Sequence, residues 1–241
     1  MTPSRLFLSG FCAVSLTVAA FAQRGARPSA AEGLRFRYMG PESAGRIASV
    51  VGVPGDTQTY YAGAASGGVW KTTDGAKTFE PVFDDQPVQA IGALALAPSD
   101  PRIVWAGTGE AWTIRDSDVT GDGVYKSTDA GATWTNMGLA ETGRIGRIIV
   151  HPTNPEIVYV CALGRATGPQ QERGVFKTAD GGRTWQRSLF ADPNTGCSGL
   201  SMDAHDSNTL FAGLWQVELT TWVMNSGGPG SAVYVLSLIH I

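Results

Sequence analysis

The chain has 241 residues, 43% of them hydrophobic and 16% charged, which is enough apolar material for a packed core and excludes a disordered or highly charged tail. Lys and Arg number 18 against 21 Asp and Glu, a formal net charge of −3, so no basic field exists to hold nucleic acid. Three Cys cannot build a disulfide framework, while 31 Gly and 13 Pro point to many short elements joined by turns.

In chain order, residues 1–22 read as a secretory signal. Arg5 supplies the positive start, Leu6 to Val18 is an uncharged apolar run too short to span a bilayer comfortably, and Ala20 and Ala22 are the small residues a signal peptidase reads. Cys12 follows bulky Phe11 inside the apolar run, which does not suit a lipoprotein. A secreted or periplasmic protein without a membrane span is expected, in a compartment where Cys161 and Cys197 are permitted to pair. Residues 23–33, rich in Ala, Arg, Pro, Ser and Gly, read as a flexible leader, with order beginning near Leu34.

From there the chain repeats itself. Apolar runs Ile47 to Val53, Ile91 to Ala97 and Ile145 to His151 are each closed by a proline: Pro54, Pro98 and Pro152. Each is followed by a polar turn and an aromatic-bearing run: Tyr60 to Gly63, Val104 to Gly107, and Val158 to Cys161. Next comes Gly-Val-aromatic-Lys, at Gly68, Gly123 and Gly174, and a last strand signal after Phe79, Trp134 and Trp185. A fourth copy starts at Cys197, with Ala204 in the proline slot and Leu210 to Gly213 as its aromatic run. Four short strand signals repeating at roughly 50 residues predict an all-β fold, a β-propeller of four-stranded antiparallel blades. A β-sandwich does not repeat at such a period. Small residues at the start of each first strand, Ala48, Gly92, Gly146 and Ser198, suit strands crowding at a central channel.

Within each of the first three repeats stands Ser/Thr-x-Asp-x-Gly-x-Thr-Trp. Ser127, Asp129, Gly131, Thr133 and Trp134 match in full, as do Thr178, Asp180, Gly182, Thr184 and Trp185; Thr72, Asp74 and Thr78 match with Ala76 and Phe79 in the glycine and tryptophan slots. This pattern resembles the Asp-box, or BNR repeat, of sialidases, sortilins and related propellers. The resemblance runs from about Phe36 to Gly230 and extends to large secreted bacterial proteins labelled glycosyl-hydrolase-like, with the stretch Gly107 to Trp112 and the loop Ser226 to Gly230 especially similar. Asp74, Asp129 and Asp180 then have a structural role. Each carboxylate can accept hydrogen bonds from its own turn, and the aromatic residue is expected to anchor the hairpin into the blade core. The family would place another Asp-box after Val233 and Tyr234, but no Asp, Gly or Thr-Trp follows. The expected propeller therefore covers residues 34–235, about three and a half blades of an incomplete ring, with 236–241 read as a non-native tail and the remaining C-terminal blades of the full-length chain as its partner.

Function in a propeller of this kind belongs to the face carrying the loops between second and third strands, since long loops on a rigid scaffold carry most sites. The first blade has only Ala64 to Gly67 there, whereas Thr108 to Gly121, Leu163 to Arg173 and Leu214 to Ser231 are long. Candidate binding residues are Glu110, Trp112, Arg165, Glu172, Trp215 and Trp222, tryptophan being suited to stack on sugar rings or anchor a peptide. Arg46 and Arg144 share the slot before the first strand and are candidates of the same face, with a structural role at the rim as the plainer reading. Asp116 to Gly121 looks like half a calcium loop, but its distal ligand would fall near Ser127, which serves the repeat; His151 and His205 lack zinc spacing, so no metal or cofactor is expected. Cys161 ends a second strand and Cys197 starts the next blade; they form a disulfide if their Cα atoms come within roughly 7 Å, and otherwise remain two free thiols.

Two functions follow. The first is an extracytoplasmic interaction module binding protein, peptide or glycan through its loop face. The alternative is a glycoside hydrolase, sialidase- or xyloglucanase-like, with some catalytic residues in the further blades. Hydrolysis needs two carboxyl groups across the scissile bond. Xyloglucanases of the Asp-box type carry an aspartate two residues before a Gly-Gly in their first blade, and Ala65 stands there in this chain, so no catalytic residue is assigned.

Overall fold

The computed structural model describes residues 38–41, 45–112 and 120–237. The signal segment, the leader, residues 238–241 and most of the half calcium loop lie outside the described residues. Every strand belongs to the unit that begins at Met39. Blade 1 comprises β1 (Ile47–Gly52), β2 (Tyr60–Ala64), β3 (Val69–Thr72) and β4 (Glu80–Pro81). Blade 2 comprises β5 (Ile91–Ala97), β6 (Asp100–Thr108), β7 (Val124–Ser127) and β8 (Thr135–Asn136). A turn of 3-10 helix (Ala140–Thr142) leads into blade 3: β9 (Ile145–Val150), β10 (Val158–Ala162), β11 (Gly174–Thr178) and β12 (Gln186–Leu189). Blade 4 comprises β13 (Thr195–Met202), β14 (Thr209–Leu219), β15 (Met224–Ser226) and β16 (Ala232–Ser237). Each blade is an antiparallel four-stranded sheet and the first strands lie side by side, β1 against β5, β5 against β9, and β9 against β13, as in a β-propeller.

Blade 4 departs from its siblings. The stretch Leu214 to Ser231, read from the sequence as a loop, is half strand: β14 runs on to Leu219 and β15 folds back on it, forming an arm beyond the blade. β16 pairs with the earlier part of β14, from Thr209 to Leu214. The strand reaches Ser237 and buries Leu236, two residues beyond the boundary expected at 235.

The cores lie between blades rather than within them. One apolar cluster joins Tyr61, Val69 and Phe83 of blade 1 to Ile91, Leu94 and Leu96 of blade 2. A second lies between blades 2 and 3 around Trp105, Ile145 and Ile148. A third lies between blades 3 and 4 around Tyr159, Val175, Leu200 and Leu210. Each fully buried side chain of this kind contributes about 1.5–3 kcal/mol.

The sequence repeat explains these seams. In every first strand the small residue, Ala48, Gly92, Gly146 or Ser198, is skipped by the pairing register and forms a β-bulge. The bulge turns the residue before it toward the preceding blade. Ile91 thus packs over Gly63, where a Cβ would lie 2.5 Å from its Cγ2, and Ile145 packs over Gly107 in the same way at 2.5 Å. In the third seam the isoleucine slot holds Cys197 and the glycine slot holds Cys161, and their sulfurs are bonded with Cα atoms 5.0 Å apart. A knob in a hole has become a covalent link.

The aspartate turns lock the first two of these seams. Asp180 Oδ1 accepts the Thr184 backbone N–H at 2.9 Å and the Thr178 hydroxyl at 2.8 Å, while Oδ2 accepts the Thr184 hydroxyl at 2.6 Å. Asp74 and Asp129 repeat this pattern. These hydrogen bonds hold Asp129 down at about 2, with the Thr133 hydroxyl as the largest cause, and hold Asp74 and Asp180 well below the usual carboxylate range. The aromatic residue does not anchor its own blade's core, as expected from sequence, but the seam with the preceding blade. Trp134 donates its indole N–H to Val82 O and Trp185 donates to Met137 O, both at 2.7 Å. The rings stack edge-on against Phe83 and Trp105 of the preceding blade. In return, Tyr61 and Lys71 of blade 1 donate to Ala130 O at 2.9 and 2.8 Å, and Lys126 of blade 2 donates to Gly181 O at 3.2 Å.

Two expectations follow. The disulfide closes a separation of 36 residues, for which the chain-entropy account gives about 3–4 kcal/mol; Cys161→Ala should lower the urea midpoint accordingly, and thiol titration of the unfolded, unreduced parent should find neither Cys161 nor Cys197 reactive. The depressed aspartates make stability pH-dependent. Their folded values lie below the unfolded ones, so the unfolded chain takes up protons first as pH falls and the contribution, full above about pH 4, is lost toward the folded values. Asp180→Asn should therefore melt earlier than the parent at neutral pH, with the gap closing in acid.

Candidate functional site

The loop face is built from the ends of second strands and the starts of first strands. In three blades the backbone is pinned alike: Ala65 N–H donates to Arg46 O at 2.8 Å, Gly109 N–H to Ala90 O at 2.8 Å, and Leu163 N–H to Arg144 O at 2.9 Å. The two arginines of this slot nonetheless have different fates. Arg46 is exposed and reaches into blade 2, where Nε donates to Glu110 Oε1 at 2.7 Å and a second guanidinium nitrogen pairs with Oε2. This partner raises Arg46 above its usual value. Glu110 is only 2% exposed, so its carboxylate is committed to Arg46. Arg144 is 2% exposed and closed to any ligand, which removes it from the binding candidates.

The remaining candidates fall into three places. Ala111, Trp112, Ser198 and Trp215 line a cleft of about 280 Å³. Blades 2 and 4 supply its walls, while Gly146 of blade 3 lies beside Ala111 and Ser198, a Cβ there coming within 3.1 Å of the Ala111 side chain. Trp112 stands 77% exposed at its edge, whereas Trp215 is half-buried, its indole N–H donating to Ser226 Oγ at 3.1 Å at the base of the arm. Arg165 and Glu172 line a polar groove with Glu141 and Gln170, in which Arg165 pairs with Glu141 at 3.0 Å. Trp222 is apart from both, 93% exposed at the tip of the β14–β15 arm. That tip is preorganised: Thr220 Oγ1 accepts the N–H groups of Trp222 and Val223. Among the described residues no three His, Cys, Asp or Glu side chains gather as a metal would require.

Sequence reasoning missed Arg173. It is fully buried, and its guanidinium donates to Asn194 O at 2.6 Å, Val217 O at 3.3 Å, Arg165 O at 2.7 Å and Gly168 O at 2.9 Å. Burial lowers Arg173 below its usual value, but a guanidinium stays charged. One side chain thus ties the blade-3 loop to the arm of blade 4. The available signal was a charged residue standing directly before the glycine that opens a third strand, at the end of a long loop.

No family model matches the chain. A xyloglucanase of Hypocrea jecorina is 29% identical over 157 residues, 60% of this chain and 17% of its own. A vacuolar protein sorting/targeting protein 10 of Mycosarcoma maydis is 26% identical over 88 residues, 36% of this chain and 5% of its own. Among solved structures, the GH74 enzyme of Niastella koreensis superposes with a TM-score of 0.61 at 21% identity, over 80% of this chain and 29% of its own. The chain is thus similar to xyloglucanases in sequence and shares the propeller fold of a GH74 enzyme. It spans between 15% and 24% of the length of three xyloglucanase relatives.

Replacing Arg173 by Met keeps the bulk and strands four carbonyls. A loss of about 3 kcal/mol or more is expected, read as a lowered urea midpoint, together with increased protease cleavage between Leu163 and Arg173.

Proposed function

We propose that the loop face binds a glycan chain, and that this propeller serves a glycoside hydrolase of the xyloglucanase kind. The observation that carries the reading is the cleft between Trp112 and Trp215 with small Ala111 and Ser198 between them. Flat, rigid aromatic faces around a shallow apolar floor suit the ring faces of a polysaccharide, and few side chains must be ordered to receive it. The xyloglucanase relatives support that ligand class over a protein or peptide partner. An extracytoplasmic site suits both the disulfide and a polysaccharide ligand.

Binding, not bond cleavage, is the part these blades supply. A glycosidase needs one carboxyl group to protonate the leaving oxygen and a second to act as base or nucleophile. Glu110 is engaged by Arg46, the aspartates of the turns are engaged by their own hydroxyl and N–H donors, and buried Ala65 stands where the resembling enzymes carry an acid.

Calorimetric titration with xyloglucan oligosaccharides tests this. Trp112→Ala and Trp215→Ala should each weaken binding about five- to thirtyfold, the cost of truncating an aromatic anchor. Xyloglucan, sialosides and aryl glycosides should all be left intact by the parent chain. Turnover that disappears in Glu110→Gln would make Glu110 catalytic and reverse the assignment, and unchanged affinity in both tryptophan variants would remove the cleft from it.

A further inference from the structure

The polar groove of about 310 Å³ lies between the turn of 3-10 helix that leads into blade 3 and the long loop of that blade. Blades 2 and 3 are each flanked by a blade on either side. The backbone around the groove is fixed from two directions. At its wall, the Gln170 side chain donates to Glu141 O and accepts the Arg165 N–H, while the Gln170 backbone N–H donates to Pro193 O at 2.8 Å. From below, the buried Arg173 guanidinium holds Arg165 O and Gly168 O. A ligand therefore finds the groove already formed and orders little of the chain on entering it.

Its side chains differ in kind from those of the cleft. Glu141 and Arg165 are paired along one wall with both heads exposed. Glu172 and Thr167 are exposed too, and neither the Glu172 carboxylate nor the Thr167 hydroxyl has a hydrogen-bond partner among the described residues. An anion entering here meets two carboxylates, and a small cation meets a guanidinium already paired with one of them. A neutral polyol fits both senses of hydrogen bonding. Neighbouring ring hydroxyls can donate to the two oxygens of Glu172 while another accepts from Arg165, and Thr167 serves either way.

Groove and cleft share a boundary. Leu163, Ala166, Val217 and Leu219 form a buried cluster, and Ala111 and Trp215 of the cleft pack against it. Thr167 and Gly168, directly after Ala166, line the groove. We propose that the groove is a second sugar subsite: a glycan stacked on the tryptophans of the cleft runs past Ala166 and lays its next rings in the groove, held by their hydroxyl edges. The inference rests on the glycan reading and adds to it a requirement for chain length. The cleft grips ring faces, the groove ring edges.

Calorimetry with short and long xyloglucan oligosaccharides tests it, the quantity read being the ratio of the two affinities. The parent should bind the long ligand about tenfold more tightly than one that fills the cleft alone, the worth of a charge-assisted hydrogen bond. Glu172→Gln should bring the two affinities close together. Gly168→Val should do the same by bulk with every polar group kept, since a Cβ at Gly168 meets nothing within 4 Å and the backbone there is not in the left-handed region. Trp112→Ala should instead weaken both ligands. Equal affinity for short and long ligands in the parent overturns the groove and leaves the glycan reading standing. A length advantage that survives both groove variants overturns it in the same way. No binding of either ligand overturns the glycan reading and the groove with it.

Discussion

A four-stranded blade has two apolar faces and no partner of its own, so the whole molecule depends on how one blade seats on the next. The seat is a β-bulge. One skipped residue in each first strand reverses the side to which the preceding side chain points, sending Ile91 and Ile145 into the previous blade instead of along their own. The glycine opposite exists to leave room. Once these contacts set the spacing, the apolar clusters fill the rest of each seam, and aspartate turns clip over the outer rim of the first two.

The turns show how acids can recur in a chain without becoming chemistry. A catalytic carboxylate needs a lone pair or a proton to offer a substrate. In each turn the first oxygen is taken by a hydroxyl and backbone N–H groups and the second by a threonine hydroxyl. Their strongly acidic character is a consequence of that saturation. The carboxylate shapes a left-handed turn, at Ala130 and Gly131 for example, whose carbonyl is then presented to the neighbouring blade. A local hydrogen-bond pattern thereby becomes a long-range contact.

The blades were legible because hydrophobic period agreed across four copies and motif spacing across three. Less legible was which way each side chain faced. Gly-Arg-Ile occurs twice, yet Arg46 is exposed and paired with Glu110 whereas Arg144 is buried, and only the loop opposite decides between them. The arm of blade 4 was hidden for another reason: its turn, Thr220 to Val223, lacks glycine or proline, and its alternation carries on from β14 without interruption. The cleft joins residues from blades 2 and 4 across blade 3, a distance in sequence that no spacing rule covers. The sequence left the disulfide open, since only the structure shows that the two cysteines stand in slots that touch in the other seams.

The covalent bond stands in the one seam of the three that has no aspartate turn, so the array is fastened unevenly. Blades 3 and 4 stay tethered across their seam, and Arg173 fastens the same pair at the loop face. Blades 1 and 2 are joined by non-covalent contacts alone. In a linear stack, local opening begins where the coupling is weakest. The first two seams can thus part without any covalent bond being broken, whereas blades 3 and 4 separate across theirs only once the disulfide is reduced.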